Sequence, residues 1–125
     1  MKLSAEHQIE YDAHQLWLAD PSTGQPLDWT GECLSGADLR GADLRCADFS
    51  CADLSCANLC GADLQDADFS CVDFSGADLQ GVDFSDVDLR GADFNGADLQ
   101  DADFSYASLR GVDFGDARQK DGREQ

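Results

Sequence analysis

The residues able to do chemistry in this 125-residue chain are few in kind. They are six cysteines (Cys33, Cys46, Cys51, Cys56, Cys60 and Cys71), two histidines (His7 and His14) and a large excess of carboxylates. Cysteine with histidine raises a metal centre, paired cysteines a disulfide, and paired carboxylates acid–base catalysis. No two cysteines form a CxxC pair, and no histidine follows residue 14, so the ligand spacing of a zinc site is missing. The carboxylates are evenly spread, whereas acid–base work needs a concave site with unequal environments. No Ser-His-Asp set, phosphate loop or dinucleotide fingerprint appears. The chain reads as non-enzymatic, with no catalytic residue, cofactor or metal, and with His7 and His14 facing solvent or a helix interface.

The formal net charge of −18 argues against direct binding to nucleic acid or an anionic membrane, since both are polyanions. It suits a basic protein partner. The N-terminal stretch has no long apolar run, so neither a signal peptide nor a membrane span is expected. The cysteines are then expected as reduced thiols in a cytoplasm.

The elements that position these residues follow from a period of five. Large apolar residues stand at Leu34, Leu39, Leu44, Phe49, Leu54 and onward by fives to Leu109 and Phe114. Two residues before each sits Ala or Val in nearly every unit, with Asp between, replaced only at Cys33, Asn58 and Ser108. The stretch Leu27-Asp28-Trp29 is a degenerate first unit. A helix would scatter these leucines around its axis, and a flat strand would alternate their faces because five is odd. An extended three-residue segment followed by a two-residue turn keeps every Ala-x-Leu facing inward, which makes a solenoid.

The units GADLR, CADFS, GADLQ and GVDFS resemble the pentapeptide-repeat family, whose pattern is A(D/N)LXX. The resemblance covers residues 27–117. It implies an all-β solenoid, a right-handed quadrilateral β-helix with four pentapeptides per coil and about four and a half coils. At a strand spacing of roughly 4.8 Å the rod would be about 20 Å long. Residues 1–26 then form a short N-terminal α-helical cap and loop, 27–117 the β-helix, and 118–125 a polar tail.

Four units per coil stack positions twenty apart. Asp53, Asp73, Asp93 and Asp113 fall on one face; Asp43, Asp63, Asp83 and Asp103 fall on the opposite one, with Asp66 and Asp86 at its following corner. Two readings of these columns stay open. Either Asp bonds the turn backbone, or the columns present charge to a basic groove. Cys51 and Cys71 share a column with Cα atoms about 4.8 Å apart, inside the disulfide range.

At the N-terminus, Ser4 reads as the N-cap of a helix over 4–19 whose stripe is Ile9, Ala13, Leu16 and Trp17, packing on Trp29 and Leu34. Glu32 occupies an inward small-residue position, so that coil is expected to be irregular. The stretch HQLWL also resembles phage- and prophage-encoded members of the family. At the other end, the tail is too short and polar to cover Phe94, Phe104, Tyr106, Leu109 and Phe114, so a homodimer through the C-terminal coils is expected.

The resemblance implies a function without catalysis. Some members of the family present a rod of duplex-like size and charge to DNA gyrase. The expected partner is therefore a basic DNA-binding protein such as DNA gyrase or another host DNA-binding enzyme. The alternative is a protein-interaction scaffold with no link to DNA.

Overall fold

In the computed structural model the described residues are 2–118. Each pentapeptide makes one straight segment and one turn. The carbonyl of Leu34 accepts the N–H of Ala37 at 2.9 Å, and the same bond recurs at Leu39–Ala42, Leu44–Ala47 and Phe49–Ala52. The third residue of each such turn has positive φ, as at Gly36 (φ 73°), which is the signature of a type II turn. Glycine fills that corner in many units. Eight other corners carry Cys46, Cys51, Cys56, Cys71, Asp66, Asp86, Asp101 and Tyr106 at φ between 58° and 64°. Each of these costs roughly 1 kcal/mol against glycine, so the repeat imposes its turn on residues that resist it.

The straight segments pair in parallel with the residue twenty positions on: Asp28 with Asp48, Cys33 with Asp53, Asp38 with Asn58, Asp43 with Asp63. One circuit therefore takes four pentapeptides. The ladder runs from Asp28 to Arg118, which bridges Asp98. Arg118 is thus paired into the solenoid, one residue beyond the expected boundary at 117. The rest of the expected tail lies outside the described residues.

The interior is one column of layers. Trp29, Leu39, Leu44, Phe49, Leu54, Leu59, Phe69, Phe74, Phe84 and Phe94 are fully buried, with Ala or Val filling the small inward positions. Like stacks on like: Phe49 on Phe69 at 4.8 Å, Phe74 on Phe94 at 5.3 Å and Phe84 on Phe104 at 5.2 Å between ring centroids. Neighbouring columns meet edge to face, as in Phe84 and Phe94 at 6.0 Å. Both arrangements satisfy the ring quadrupole.

Helix α1 spans Ala5–Ala19 and begins on Ser4, whose Oγ accepts the N–H of His7 at 3.2 Å. Its packing face is not the expected stripe. Ile9 is 70% and Leu16 58% exposed, while His14 is fully buried. Ala13 and Trp17 are half-buried, and Trp17 lies parallel to the His14 ring at 5.8 Å. The inward face is His7, Tyr11, His14 and Leu18, with Glu10 and Gln15 beside it. The reason is polar. The first coil presents a row of unpaired backbone groups, and an apolar stripe would leave them unsatisfied.

The helix and the residues before it supply those partners. Lys2 N–H donates to Asp38 O at 3.0 Å, Asp43 N–H to the Tyr11 hydroxyl at 3.0 Å, and Gln15 Nε2 to Asp43 O at 2.9 Å. Contact with Trp29 is made by other residues than expected. Its indole N–H donates to Glu10 at 3.1 Å, and the His7 ring meets it edge-on at 5.2 Å. The chain returns from α1 through Gly24 (φ 60°), where an added Cβ would stand 2.2 Å from the Ala13 carbonyl oxygen.

Glu32 does not disturb its coil. Its carbonyl accepts Asp53 N–H at 2.9 Å in the regular ladder, and its exposed carboxylate bonds His7 Nε2 at 3.0 Å. An end coil has room for a side chain that an inner coil would exclude.

Candidate functional site

The carboxylate in the middle of each unit is held by its own turn. Oδ1 of Asp53 accepts the N–H of Ser55 at 2.9 Å, and the pattern repeats at Asp63–Gln65, Asp73–Ser75, Asp83–Ser85, Asp93–Asn95, Asp103–Ser105 and Asp113–Gly115. The hydroxyls of Ser55, Ser75 and Ser105 donate to the same oxygen at 2.6 Å. Asn58 makes the same bond to the N–H of Cys60 at 3.0 Å. These are Asx turns, and they need an oxygen rather than a charge.

The bonds also set the protonation behaviour. The hydroxyl and N–H of the serine two residues on hold Asp53 and Asp103 below the usual carboxylate range. Arg45 does the same to Asp43 with two bonds, at 2.8 and 2.7 Å, and lies 3.7 Å from Asp63. Arg40 pairs with Asp38 and Arg90 with Asp88 in the same two-pronged way.

Asp66, Asp86 and Asp101 differ. They occupy positive-φ corners, are exposed, and make no side-chain bond among those described. Asp66 and Asp86 stack in the column that begins with Cys46 and ends with Tyr106. The expected acidic faces thus divide in two. Asp43, Asp53, Asp63, Asp73, Asp83, Asp93, Asp103 and Asp113 are turn-forming carboxylates, with the second oxygen of Asp43 held by Arg45 and that of Asp113 by Asn95, whereas Asp66 and Asp86 make no bond to the turn. The face with Asp53, Asp73, Asp93 and Asp113 carries no basic residue. The opposite face carries only Arg45, at its N-terminal end.

His14, expected at solvent or a helix interface, lies buried between α1 and the first coil. Nδ1 accepts the N–H of Leu27 at 2.9 Å, and Nε2 meets Arg45 O at 2.8 Å. A donor on one side and an acceptor on the other require the neutral ring with its proton on Nε2. Burial accordingly pushes the His14 pKa down. The available signal was the spacing His7, Tyr11, His14, Leu18, a second helical stripe beside the apolar one.

At the C-terminal end, Phe94 is fully buried beneath Phe114, stacked at 5.5 Å, and so is not a surface residue. Phe104 and Phe114 are half-buried, Leu109 is 37% and Tyr106 90% exposed. All six cysteines are free, and Cys60, half-buried, has its thiol pKa pushed up by burial and by Asp78. No group of three or more metal-ligating side chains occurs among the described residues, and no described helix is long and apolar enough to cross a membrane.

A parallel ladder with a twenty-residue circuit, turned at every fifth residue, defines a β-solenoid protein. The model for pentapeptide repeats matches eight copies over residues 33–59, 47–86 and 83–118, and the chain belongs to that family. Among solved structures it is similar to HetL, a pentapeptide repeat protein involved in heterocyst differentiation regulation from the cyanobacterium Nostoc sp. strain PCC 7120. The identity is 35% over 78% of this chain and 47% of that one, with a TM-score of 0.71. It is also similar to trypsin-treated QnrB1, a plasmid-mediated fluoroquinolone resistance protein. There the identity is 25% over 66% of this chain and 40% of that one, with a TM-score of 0.62. The chain therefore spans under half the length of either. No curated protein sequence matches it.

Proposed function

We propose that this chain is a non-enzymatic acidic rod that occupies the DNA groove of a basic protein, such as DNA gyrase or another host DNA-binding enzyme. The observation that carries the reading is charge per unit length. Between Asp28 and Arg118 the sequence holds twenty Asp and Glu against five Arg. At roughly 4.8 Å per twenty-residue circuit, the excess is about one negative charge per 1.5 Å of rod. Duplex DNA carries one per ≈ 1.7 Å. A groove that binds phosphates by counterion release gains the same entropy from such a rod. The likeness to QnrB1, a fluoroquinolone resistance protein, points toward gyrase among such enzymes.

Asn58 shows how to test this without unfolding the rod, since asparagine makes the Asx bond as well as aspartate does. Converting Asp63, Asp83 and Asp103 to Asn, and Asp66 and Asp86 to Gly, removes five charges from one face. Purified gyrase in a supercoiling assay should be inhibited by the parent and not by this variant, with inhibition fading as salt rises. Equal activity of parent and variant ends the mimicry reading.

A second reading rests on the outward stripe of α1. Ile9, Ala13, Pro26 and Leu27 line a cavity of about 240 Å³ beside the helix, and a scaffold partner would dock there. Replacing Ile9 and Leu16 by Ser would then abolish partner binding and leave salt dependence unchanged. On either reading α1 serves as the N-terminal cap, the protein works in the cytoplasm, and two copies meet through Phe104, Tyr106, Leu109 and Phe114. Sedimentation at micromolar concentration returning a monomer mass would remove the dimer from this account.

A further inference from the structure

Cys51 and Cys71 are the only two of the six cysteines that stand twenty residues apart, in the corner column Gly31, Cys51, Cys71, Gly91, Gly111. Both are exposed and free. Their backbones match, with φ of 60° and 58° and amides donating to Ser70 O at 2.9 Å and Arg90 O at 2.7 Å. One residue is therefore the other translated by a single circuit.

The direction of the sulfur decides what this pair can do. Sγ of Cys71 lies 3.2 Å from where a Cβ on Gly91 would stand, and Sγ of Cys56 lies 3.2 Å from the corresponding point at Gly76. Corner thiols thus lean along the rod onto the next coil. The same lean on Cys51 would carry its Sγ toward the side chain of Cys71, one circuit on. In a cystine, an S–S bond of about 2.05 Å holds each sulfur roughly 3 Å from the opposite Cβ. Rotation of Cys71 about its Cα–Cβ bond brings its sulfur into reach, and the neighbouring corners, Gly31 and Gly91, have no side chain in the way.

We propose that Cys51 and Cys71 form a dithiol modification site that reacts with low-molecular-weight disulfides of the glutathione class and closes into a bond between successive coils. One thiolate attacks a sulfur of the small disulfide, forming a mixed disulfide and expelling a small thiolate. The second protein thiolate attacks the protein sulfur of that mixed disulfide and expels the other small thiolate. The two thiolates take up the two protons lost by the cysteines. The protein pair is oxidised by two electrons and the small disulfide is reduced by two.

The test uses the folded full-length chain, reduced and then incubated with oxidised glutathione. The expected product is a monomer lighter by about 2 Da, with four alkylatable cysteines remaining of the six and a digest fragment joining residues 51 and 71. Its melting temperature should rise by several degrees and return on reduction. Cys71→Ser should instead keep glutathione on Cys51, and Cys46→Ser should still form the bond. Glutathionylation of both cysteines without closure, cross-links scrambled among all six, or intermolecular dimers as the main product would each overturn the proposal.

Discussion

Leu27 donates its backbone N–H to Nδ1 of His14 at 2.9 Å, and this bond joins the first residue of the repeat to the buried centre of α1. The ring's other nitrogen reaches Arg45 O at 2.8 Å, so one imidazole closes two open backbone positions of the first coil. Three consequences for stability follow from this end of the molecule, and two from the columns behind it.

Protonation of His14 would set a new N–H on Nδ1 against the N–H of Leu27. Its folded pKa lies below the ordinary value of 6.5, so between those two values the unfolded chain binds more protons. Stability from this group is therefore complete above pH 6.5 and declines as pH falls through the window beneath it. Melting temperature measured from pH 7.5 to 5 should drop, and His14→Gln should flatten that part of the curve.

His14→Leu keeps the volume and leaves Leu27 N–H and Arg45 O unpaired. Two buried groups without partners cost about 1–3 kcal/mol each. Urea denaturation should show the loss of both, about 2–6 kcal/mol together, centred on the N-terminal coil, with amide exchange rising fastest at Leu27.

Gly24→Ala should be among the most damaging small substitutions. The residue sits at φ 60°, and the added carbon would meet the Ala13 carbonyl oxygen at 2.2 Å. Gly81→Ala has the same positive φ with open space around it, so it pays only the conformational cost of about 1 kcal/mol. Comparing the two by thermal melting separates the clash from the backbone strain.

Within the columns, Asp83→Ala removes an oxygen that accepts both the N–H and the hydroxyl of Ser85. It should cost about 1 kcal/mol, whereas Asp83→Asn should cost little. Asp66→Gly should leave stability equal or higher, because glycine relieves a φ of 61°. Denaturation midpoints of the three variants rank the structural against the surplus carboxylates.

Acid should unfold the rod for the same reason. Asp43, Asp53, Asp88 and Asp103 are held below the usual carboxylate range by hydrogen bonds from Arg45, Ser55, Arg90 and Ser105. Their contribution is present above the unfolded value and is lost as pH falls from about 4 toward the depressed values. A circular-dichroism titration should place the loss below pH 4, and Asp88→Asn should weaken its steepness.

The period of five carried the solenoid, because only a turn at every unit keeps Leu39 and Leu44 on the inside. It carried the Phe stacks for the same reason, since positions twenty apart must meet. The facing of α1 was hidden. Hydrophobicity pointed to Ile9 and Leu16, but the surface beneath is a row of backbone donors and acceptors, and His14, Tyr11 and Gln15 answer it. Phe94 was read as an end residue, although the final circuit through Phe114 lies over it. The Asp columns were visible as columns, yet their bonds to the turn N–H depend on side-chain rotamers that no spacing reveals.

The twenty-residue ladder also fixes how this molecule can change length. Excising one whole circuit, such as residues 62–81, shortens the rod by a storey and returns every later side chain to its former face. Excising a single pentapeptide turns everything after it by a quarter, so Arg90 would move into the column of Gln65 and the bare face would acquire a new set of residues. Lineages that lengthen by copying units of five would reshuffle their exteriors at each step, while those copying units of twenty would extend an existing pattern unchanged.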